Sequence, residues 1–182
     1  KNMFGSCTAS GSAVEECEIG DSFNAGEASI KGIELVAQTE ILSDSGITSS
    51  LSLTYTSTNA SFDNTFTSSF WGEVTSGMDI PDLPDTQLAL SGSFHISNGW
   101  RGNATMYFYG STCSVASCEQ GTQIDSYNLI DVSLSKQLND NLNVYLVMEN
   151  LTDEEDVVAR SPKNGAKAQK PRTFFFGVRY RF

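Results

Sequence analysis

Proline is scarce in this chain, with four in 182 residues, histidine occurs once, and no apolar run exceeds a few residues. Runs that short exclude a transmembrane helix, which needs about 20 consecutive apolar residues. No basic segment leading into an apolar one opens the chain, so the residues after Lys1 do not read as a signal peptide. Lys1 is not a natural initiator, which points to a processed chain or a fragment. Basic charge is also short: 11 Lys and Arg stand against 22 Asp and Glu, a net charge of −11. That balance argues against a nucleic-acid partner. The sequence shows no nucleophile–base set, no phosphate-cradling glycine loop and no zinc-ligand spacing, so it does not read as an enzyme. His95 has no companion ligands, and the acids of "NLTDEE" lack the calcium-loop spacing, so no metal site is expected.

What is abundant is Ser, Thr, Asn and Gly, interleaved with apolar residues at a period of two. In "GIELVAQTEI" the residues Ile33, Leu35, Ala37, Thr39 and Ile41 share one face, with Glu34, Gln38 and Glu40 on the other. The pattern recurs in "ITSSLSLTYTST" (47–58), "TQLALSGSFHIS" (86–97), "WRGNATMYFYG" (100–110), "YNLIDVSLSKQL" (127–138) and "LNVYLVMEN" (142–150). The last stretch, "PRTFFFGVRYRF", sets Phe174, Phe176, Val178, Tyr180 and Phe182 against Arg179 and Arg181. The reading is all-β, with seven strands longer than the usual five or six residues.

Their connections alternate. Short turns at 43–46, 97–99 (around "NG", a strong hairpin signal) and 139–141 separate long loops at 60–83, 111–124 and 152–171. An up-and-down antiparallel barrel with one plain end and one elaborate end is expected, as in transmembrane barrels with short periplasmic turns. A secreted β-sandwich is the alternative, with shorter strands whose polar faces meet bulk water. Seven strands leave an open edge, and unpaired N–H and C=O groups are not tolerated in lipid. The chain therefore reads as part of a larger barrel.

Four cysteines fall in two close pairs within polar loops, Cys7 with Cys17 and Cys113 with Cys118. Three pairings are formally possible. Local disulfides, Cys7–Cys17 and Cys113–Cys118, are the expectation for an exported protein.

Charge is unevenly spread. Arg160, Lys163, Lys167, Lys170, Arg172, Arg179 and Arg181 give the last 23 residues +7 with no acid among them, while the first 159 carry −18.

Taken in order, "NAGEASIKGIEL" (24–35), "IPDLPDTQLAL" (80–90), "YNLIDVSLSKQLNDNLNVYLVMENLTDEEDVVARSP" (127–162) and "PRTFFFGVRYRF" (171–182) resemble the C-terminal third of TonB-dependent outer-membrane receptors. "ENLTDEE" is similar to the family's "NLFDKEY" signature, and "VVARSPKNGAKAQKPR" resembles the corresponding loop of ferric-citrate-type receptors. Asp156 departs from the pattern, standing where an aromatic is usual.

The resemblance implies a bacterial outer-membrane barrel of about 22 strands, of which these are the last seven, with a plug domain that is not in this chain. Residues 1–26 would be an extracellular loop with a cysteine pair and residues 27–182 the barrel strands. The implied function is import of a ferric siderophore or ferric-citrate-like chelate, with no cofactor bound by the segment itself. Implied partners are the remaining strands and plug, the TonB complex, the barrel assembly machinery and lipopolysaccharide or other outer-membrane lipid. A non-transport barrel, serving as scaffold or partner-binding receptor, is the second reading.

Within that frame, Arg160, Lys163 and Lys167 are candidate contacts for an anionic chelate at the outer mouth, since guanidinium and ammonium groups attract carboxylates. A solvated loop or a lipopolysaccharide contact would use the same charges. Phe70 and Trp71, with Phe62 and Phe66 nearby, either close over a ligand or pack the loop on itself. Phe174, Phe176, Gly177, Val178, Tyr180 and Phe182 match the resembling family's assembly signal, and their aromatics also suit a lipid-facing belt. Glu34, Gln38 and Glu40 would face the lumen, and His95 would sit by a periplasmic turn.

Overall fold

A computed structural model describes residues 2–6, 22–43, 46–68, 71–160 and 165–182. Among the described residues every regular element is a strand: β1 (Asn2–Ser6), β2 (Ser22–Ser43), β3 (Ile47–Phe62), β4 (Phe66–Ser68), β5 (Gly72–Val74), β6 (Thr86–Ile96) and β7 (Trp100–Tyr109). There follow β8 (Thr112–Cys113), β9 (Gln123–Ile124), β10 (Tyr127–Asn139), β11 (Leu142–Glu149), β12 (Val157–Arg160), β13 (Ala166–Ala168) and β14 (Thr173–Tyr180).

One antiparallel sheet runs β1-β2-β3-β6-β7-β10-β11-β14, and the seven expected strands are its seven long members. The short eighth, β1, pairs along β2 through Asn2–Glu27 and Ser6–Ser22. The boundary expected at 26/27 therefore falls inside an element, because β2 is 22 residues long and begins at Ser22. Its extra length, beyond the roughly 9–11 residues that cross a bilayer, carries it past the sheet's neighbouring strands. Its partners succeed one another along its length: β1 pairs with Ser22–Glu27, and the upper half of β3 takes over from Ala28. Residues 7–21, including Cys7 and Cys17, lie outside the described residues.

Register keeps the two chemistries apart from β3 to β10, and the polar-side row turns apolar only at Val147 and Phe175. One row of partners reads Thr39, Leu51, Gly92, Ala104, Val132, Met148 and Phe174. The adjacent row, one residue along each strand, reads Glu40, Ser50, Ser93, Asn103, Ser133, Val147 and Phe175. A slip of one residue in any strand would carry its apolar set to the polar side.

Among the described residues the membrane-spanning part of the sheet has no buried core. Ile33 is 71% exposed, Leu35 53% and Phe176 75% on the apolar face, whereas the fully buried side chains are in loops or at the loop end of β3. A sandwich would pack that face against a second sheet about 10 Å away. Among the described residues there is none, so this apolar face is matched to hydrocarbon rather than to protein. Two close approaches tighten the wall. The ring of Phe94 lies over Gly102 on the apolar face, and the ring of Tyr145 lies over Gly177 on the polar face. Any Cβ at either glycine would collide with the ring above it.

The plain end is turned by short connections. Gly99 adopts φ +92° and its N–H donates to the Ile96 carbonyl at 2.9 Å, while its own carbonyl accepts from Gln137 N–H at 2.9 Å. At the other end the long connections fold into their own two-stranded pieces, β4–β5, β8–β9 and β12–β13, which supply partners for backbone groups that a bare loop would leave to water.

Candidate functional site

The polar face is a wall of short hydroxyl and amide side chains that bond across strands. Ser50 Oγ and Ser93 Oγ lie 2.7 Å apart, Ser91 Oγ and Thr105 Oγ1 2.8 Å apart, and Asn103 Nδ2 donates to Ser91 Oγ at 3.3 Å. Higher on the same face Tyr109 and Tyr127 stack with centroids 4.9 Å apart. Glu34, Gln38 and Glu40 take the expected places on this face, and His95 sits on it beside the plain-end turn, paired in register with Arg101.

Above the wall the sheet is capped by a packed loop module. The segment 77–85 continues the edge of β3 upward, with Thr58 N–H donating to the Asp85 carbonyl (2.8 Å), Ile80 N–H to Ala60 (3.1 Å) and Phe62 N–H to Met78 (2.9 Å). Phe62, Val74 and Ala116 form its buried core, against which Phe66, Trp71, Met78 and Ile80 pack. Phe62 meets Phe66 edge-on at 5.4 Å and Trp71 at 5.3 Å. Trp71 thus serves the loop's own packing, one of the two roles expected of it. Phe70 lies outside the described residues.

The loop 111–125 is stapled to this module. Cys113 and Cys118 form the expected disulfide, Asp82 N–H donates to the Cys113 carbonyl at 2.8 Å, and Ala116 N–H to the Trp71 carbonyl at 3.3 Å. Between the two loops lies a cleft of about 460 Å³, apolar on Ile80, Val115 and Ile124 and acidic on Asp79, Asp85 and Asp125. These acids are spread over two loops, and no short-range sequence signal linked them. Asp82 is open to solvent on one side, yet the loop around it displaces enough water to raise its carboxyl above the ordinary range.

The basic segment is a separate hairpin, β12–β13, with Arg160 opposite Ala166 and Lys167 opposite Ala159. Arg160 donates Nε–H to the Gln123 carbonyl at 2.6 Å, which leaves its Nη groups without a partner among the described residues. Lys167 is exposed and forms no ion pair among them. Lys170 and Arg172 are committed within the fold instead. Lys170 Nζ pairs with Glu149 Oε2 at 2.5 Å and lies 5.0 Å from the Phe175 ring centroid, and Arg172 Nη2 pairs with Asp153 Oδ2 at 3.1 Å. Lys163 lies outside the described residues.

The residue that organises this hairpin escaped the sequence reading. Asn150 is 1% exposed and sits at φ +51°. Its Nδ2 donates to the Glu154 and Lys170 carbonyls, both at 2.9 Å, and its Oδ1 accepts from Glu154 N–H at 3.1 Å. Its backbone N–H donates to Asp131 Oδ1 on the polar wall at 3.0 Å. An asparagine in "ENLTD" signals a turn; that it ties both ends of the loop to the wall is visible only in three dimensions.

Of the expected assembly-signal residues, Phe174, Phe176, Val178 and Tyr180 line the apolar face in register with Met148, Leu146, Val144 and Leu142. The Phe182 ring meets Tyr180 edge-on at 5.1 Å, and Gly177 lies on the polar face under Tyr145.

Solved structures with this fold include the ferric-catecholate import receptor Fiu of E. coli K12 in its closed form (TM-score 0.69, 19% identity, 100% of this chain and 23% of that one). The siderophore receptor PiuA of Acinetobacter baumannii (0.73, 20%, 87% and 22%) and the ferric yersiniabactin uptake receptor FyuA of Yersinia pestis (0.69, 18%, 89% and 25%) share it too. This chain spans about a quarter of the length of those proteins. No curated protein matches the sequence. The sequence pattern of the family described as "TonB dependent receptor-like, beta-barrel" covers residues 2–151. The chain belongs to that family, as a segment of an integral outer-membrane β-barrel.

Proposed function

We propose that this chain is the barrel segment of a receptor that imports a ferric siderophore or ferric-citrate-like chelate through a plugged pore, driven by TonB. The observation that carries the reading is the match to the TonB-dependent receptor barrel over residues 2–151. The two-faced wall supports it, since a lumen lined by Ser, Thr and Asn accommodates a hydrated solute or a polar plug. Val36 and Leu42 interrupt that inner face and are 62% and 75% exposed, which suits contact with a plug supplied by another part of the protein.

The charge layout narrows where an anionic chelate would first be held. Asp79, Asp85 and Asp125 repel it from the cleft, whereas Arg160 and Lys167 stand on a hairpin with uncommitted cationic groups, near Lys163 in sequence. A guanidinium whose Nη groups remain available can take a carboxylate or catecholate oxygen pair in bidentate fashion. Trp71 and Phe70 would contribute only through whatever ring surface the loop packing leaves open. The same hairpin charges would meet lipopolysaccharide in a barrel that transports nothing.

Binding of a panel of ferric chelates to the full-length receptor and to Arg160→Ala separates these readings. Loss of one charge-assisted contact is expected to weaken an anionic chelate by about tenfold or more. Unchanged affinity for every chelate would remove Arg160 from the site, and no binding of any ferric chelate to the intact receptor would remove the import reading itself.

The aromatic strand β14 is proposed as the element read by the barrel assembly machinery, through the Phe174–Phe176–Val178–Tyr180 face and Phe182. Phe182→Ala in the full-length protein is expected to lower the folded outer-membrane level severalfold with expression unchanged. A wild-type level of folded barrel would count against a signalling role and leave these rings as lipid-facing surface.

A further inference from the structure

On the apolar face, the strands β3, β6, β7, β10 and β11 line a groove of about 420 Å³ whose exposed surface is mostly apolar, with Ser49 of β3 at its edge. Its floor is made by small residues, Gly92, Gly102 and Ala104, and its sides by Phe94, Leu134 and Met148. The ring of Phe94 folded over Gly102 forms one bank instead of standing out from the sheet. A neighbouring chain is not required to explain such a groove on a surface that hydrocarbon covers. What distinguishes it is the pair of residues below its plain-end mouth.

Trp100 and Lys136 are register partners on this same face, one pleat below Gly102 and Leu134. Among the described residues of the long strands, Lys136 is the only cationic side chain on the plain-end half of the apolar face. Its ammonium lies 5.2 Å from the Trp100 ring centroid and donates to the Asn98 carbonyl in the turn at 2.5 Å. An ammonium has three protons, so the tether to Asn98 fixes its position and leaves others for an anion. The half-exposed indole beside it has an amphipathic ring of the kind that settles at headgroup depth. From Trp100 to Ala104 is four residues, roughly 14 Å along the strand at about 3.4 Å per residue, or about 10 Å along the membrane normal at the usual barrel tilt of about 35–45°. That depth keeps the groove within one leaflet's half of a hydrocarbon core about 30 Å thick.

We propose that this is a binding site for one glycerophospholipid of the periplasmic leaflet, its phosphate on Lys136 beside Trp100 and one acyl chain in the Gly92–Gly102–Ala104 groove. The cationic mouth and the apolar groove are separate features that coincide on one axis, at the end where the short turns face the periplasm. The site depends on the barrel's place in the outer membrane and not on what the receptor imports.

Native mass spectrometry of the full-length receptor, with phosphatidylglycerol or lipid A added to the detergent, tests it. The wild type should retain one phosphatidylglycerol after detergent is stripped. Lys136→Gln should lower its occupancy about fivefold, the worth of one basic residue against anionic lipid, and Lys136→Arg should restore it. Ala104→Leu, which fills the groove and leaves the charge in place, should lower occupancy independently. Lys31→Gln, at the opposite end of the same face, should not. Equal occupancy in Lys136→Gln and wild type, an equal loss in Lys31→Gln, or retention of lipid A in preference to phosphatidylglycerol would each overturn the assignment.

Discussion

The loop module of residues 58–85 and 111–125 and the hairpin of residues 151–172 stand over the same end of one sheet but are held by different forces. The module has a hydrophobic core around Phe62, a disulfide and backbone bonds that extend β3. Among the described residues the hairpin has no buried apolar cluster of its own; it hangs on Asn150 and on the exposed pairs Lys170–Glu149 and Arg172–Asp153. Burial is non-directional and is not weakened by ionic screening, whereas exposed ion pairs are weak and screened. The module is therefore suited to be a rigid wall and the hairpin to be a presenter of charge. Truncations on each side should show that difference.

Phe62→Ala should have the largest effect. The ring is 1% exposed and touches both Phe66 and Trp71, so its removal leaves a cavity between three elements. A loss of about 3–5 kcal/mol is expected for a buried Phe truncated to Ala. It should be confined to the module, visible as faster amide exchange over 71–83 in the full-length receptor with the strands β10, β11 and β14 unchanged. Exchange that accelerates equally in both regions would mean that module and hairpin form one cooperative unit.

Asn150→Ala should have the next largest effect, on the other region. It leaves the Glu154 N–H and the Glu154 and Lys170 carbonyls without their side-chain partner. Unsatisfied buried groups cost about 1–3 kcal/mol, and a Cβ at φ +51° gains nothing once the amide has gone. Asn150→Gly separates the two contributions, since glycine keeps the backbone conformation and loses the same bonds. If Gly and Ala destabilise the hairpin equally, backbone conformation is not part of the cost; if neither accelerates exchange over 152–171, the side-chain knot is not what holds the loop.

Sequence alone made the sheet legible because two different solvents press on it. Residues such as Leu51, Leu53 and Tyr55 meet hydrocarbon while Ser50, Ser52 and Thr54 meet the wet interior, so the period of two is enforced on both faces. Where that pressure ends, legibility ends with it. The start of β2 at Ser22 and the pairing of Asn2–Ser6 lie beyond the alternating stretch, and residues 1–26 accordingly read as loop. The Cys113–Cys118 bridge was legible from proximity in the chain. The cleft was not, because Asp79, Asp85 and Asp125 become neighbours only once two loops pack together. Arg160 and Lys167 were found by their charge; the Gln123 carbonyl that steadies Arg160 is 37 residues away in sequence.

Arg172→Ala should have the smallest effect, despite removing a well-formed ion pair. Arg172 Nη2 lies 3.1 Å from Asp153 Oδ2, but the two side chains are 41% and 46% exposed. The Arg172 backbone N–H also donates to Asp153 Oδ1 at 3.0 Å, and that bond survives the truncation. A loss of about 0–1 kcal/mol is expected for so exposed a pair, detectable as a slight rise in exchange over 152–171 at low salt. At about 1 M salt, where screening shortens to roughly 3 Å, variant and wild type should become indistinguishable. Asp153→Ala should cost more than Arg172→Ala, because it removes the backbone acceptor as well and leaves alanine at φ +60°. If Arg172→Ala instead approaches the Asn150→Ala effect and salt does not diminish it, the pair is shielded from solvent in the assembled receptor. The hairpin would then be anchored by charge as firmly as the module is by burial, and the contrast between them would fail.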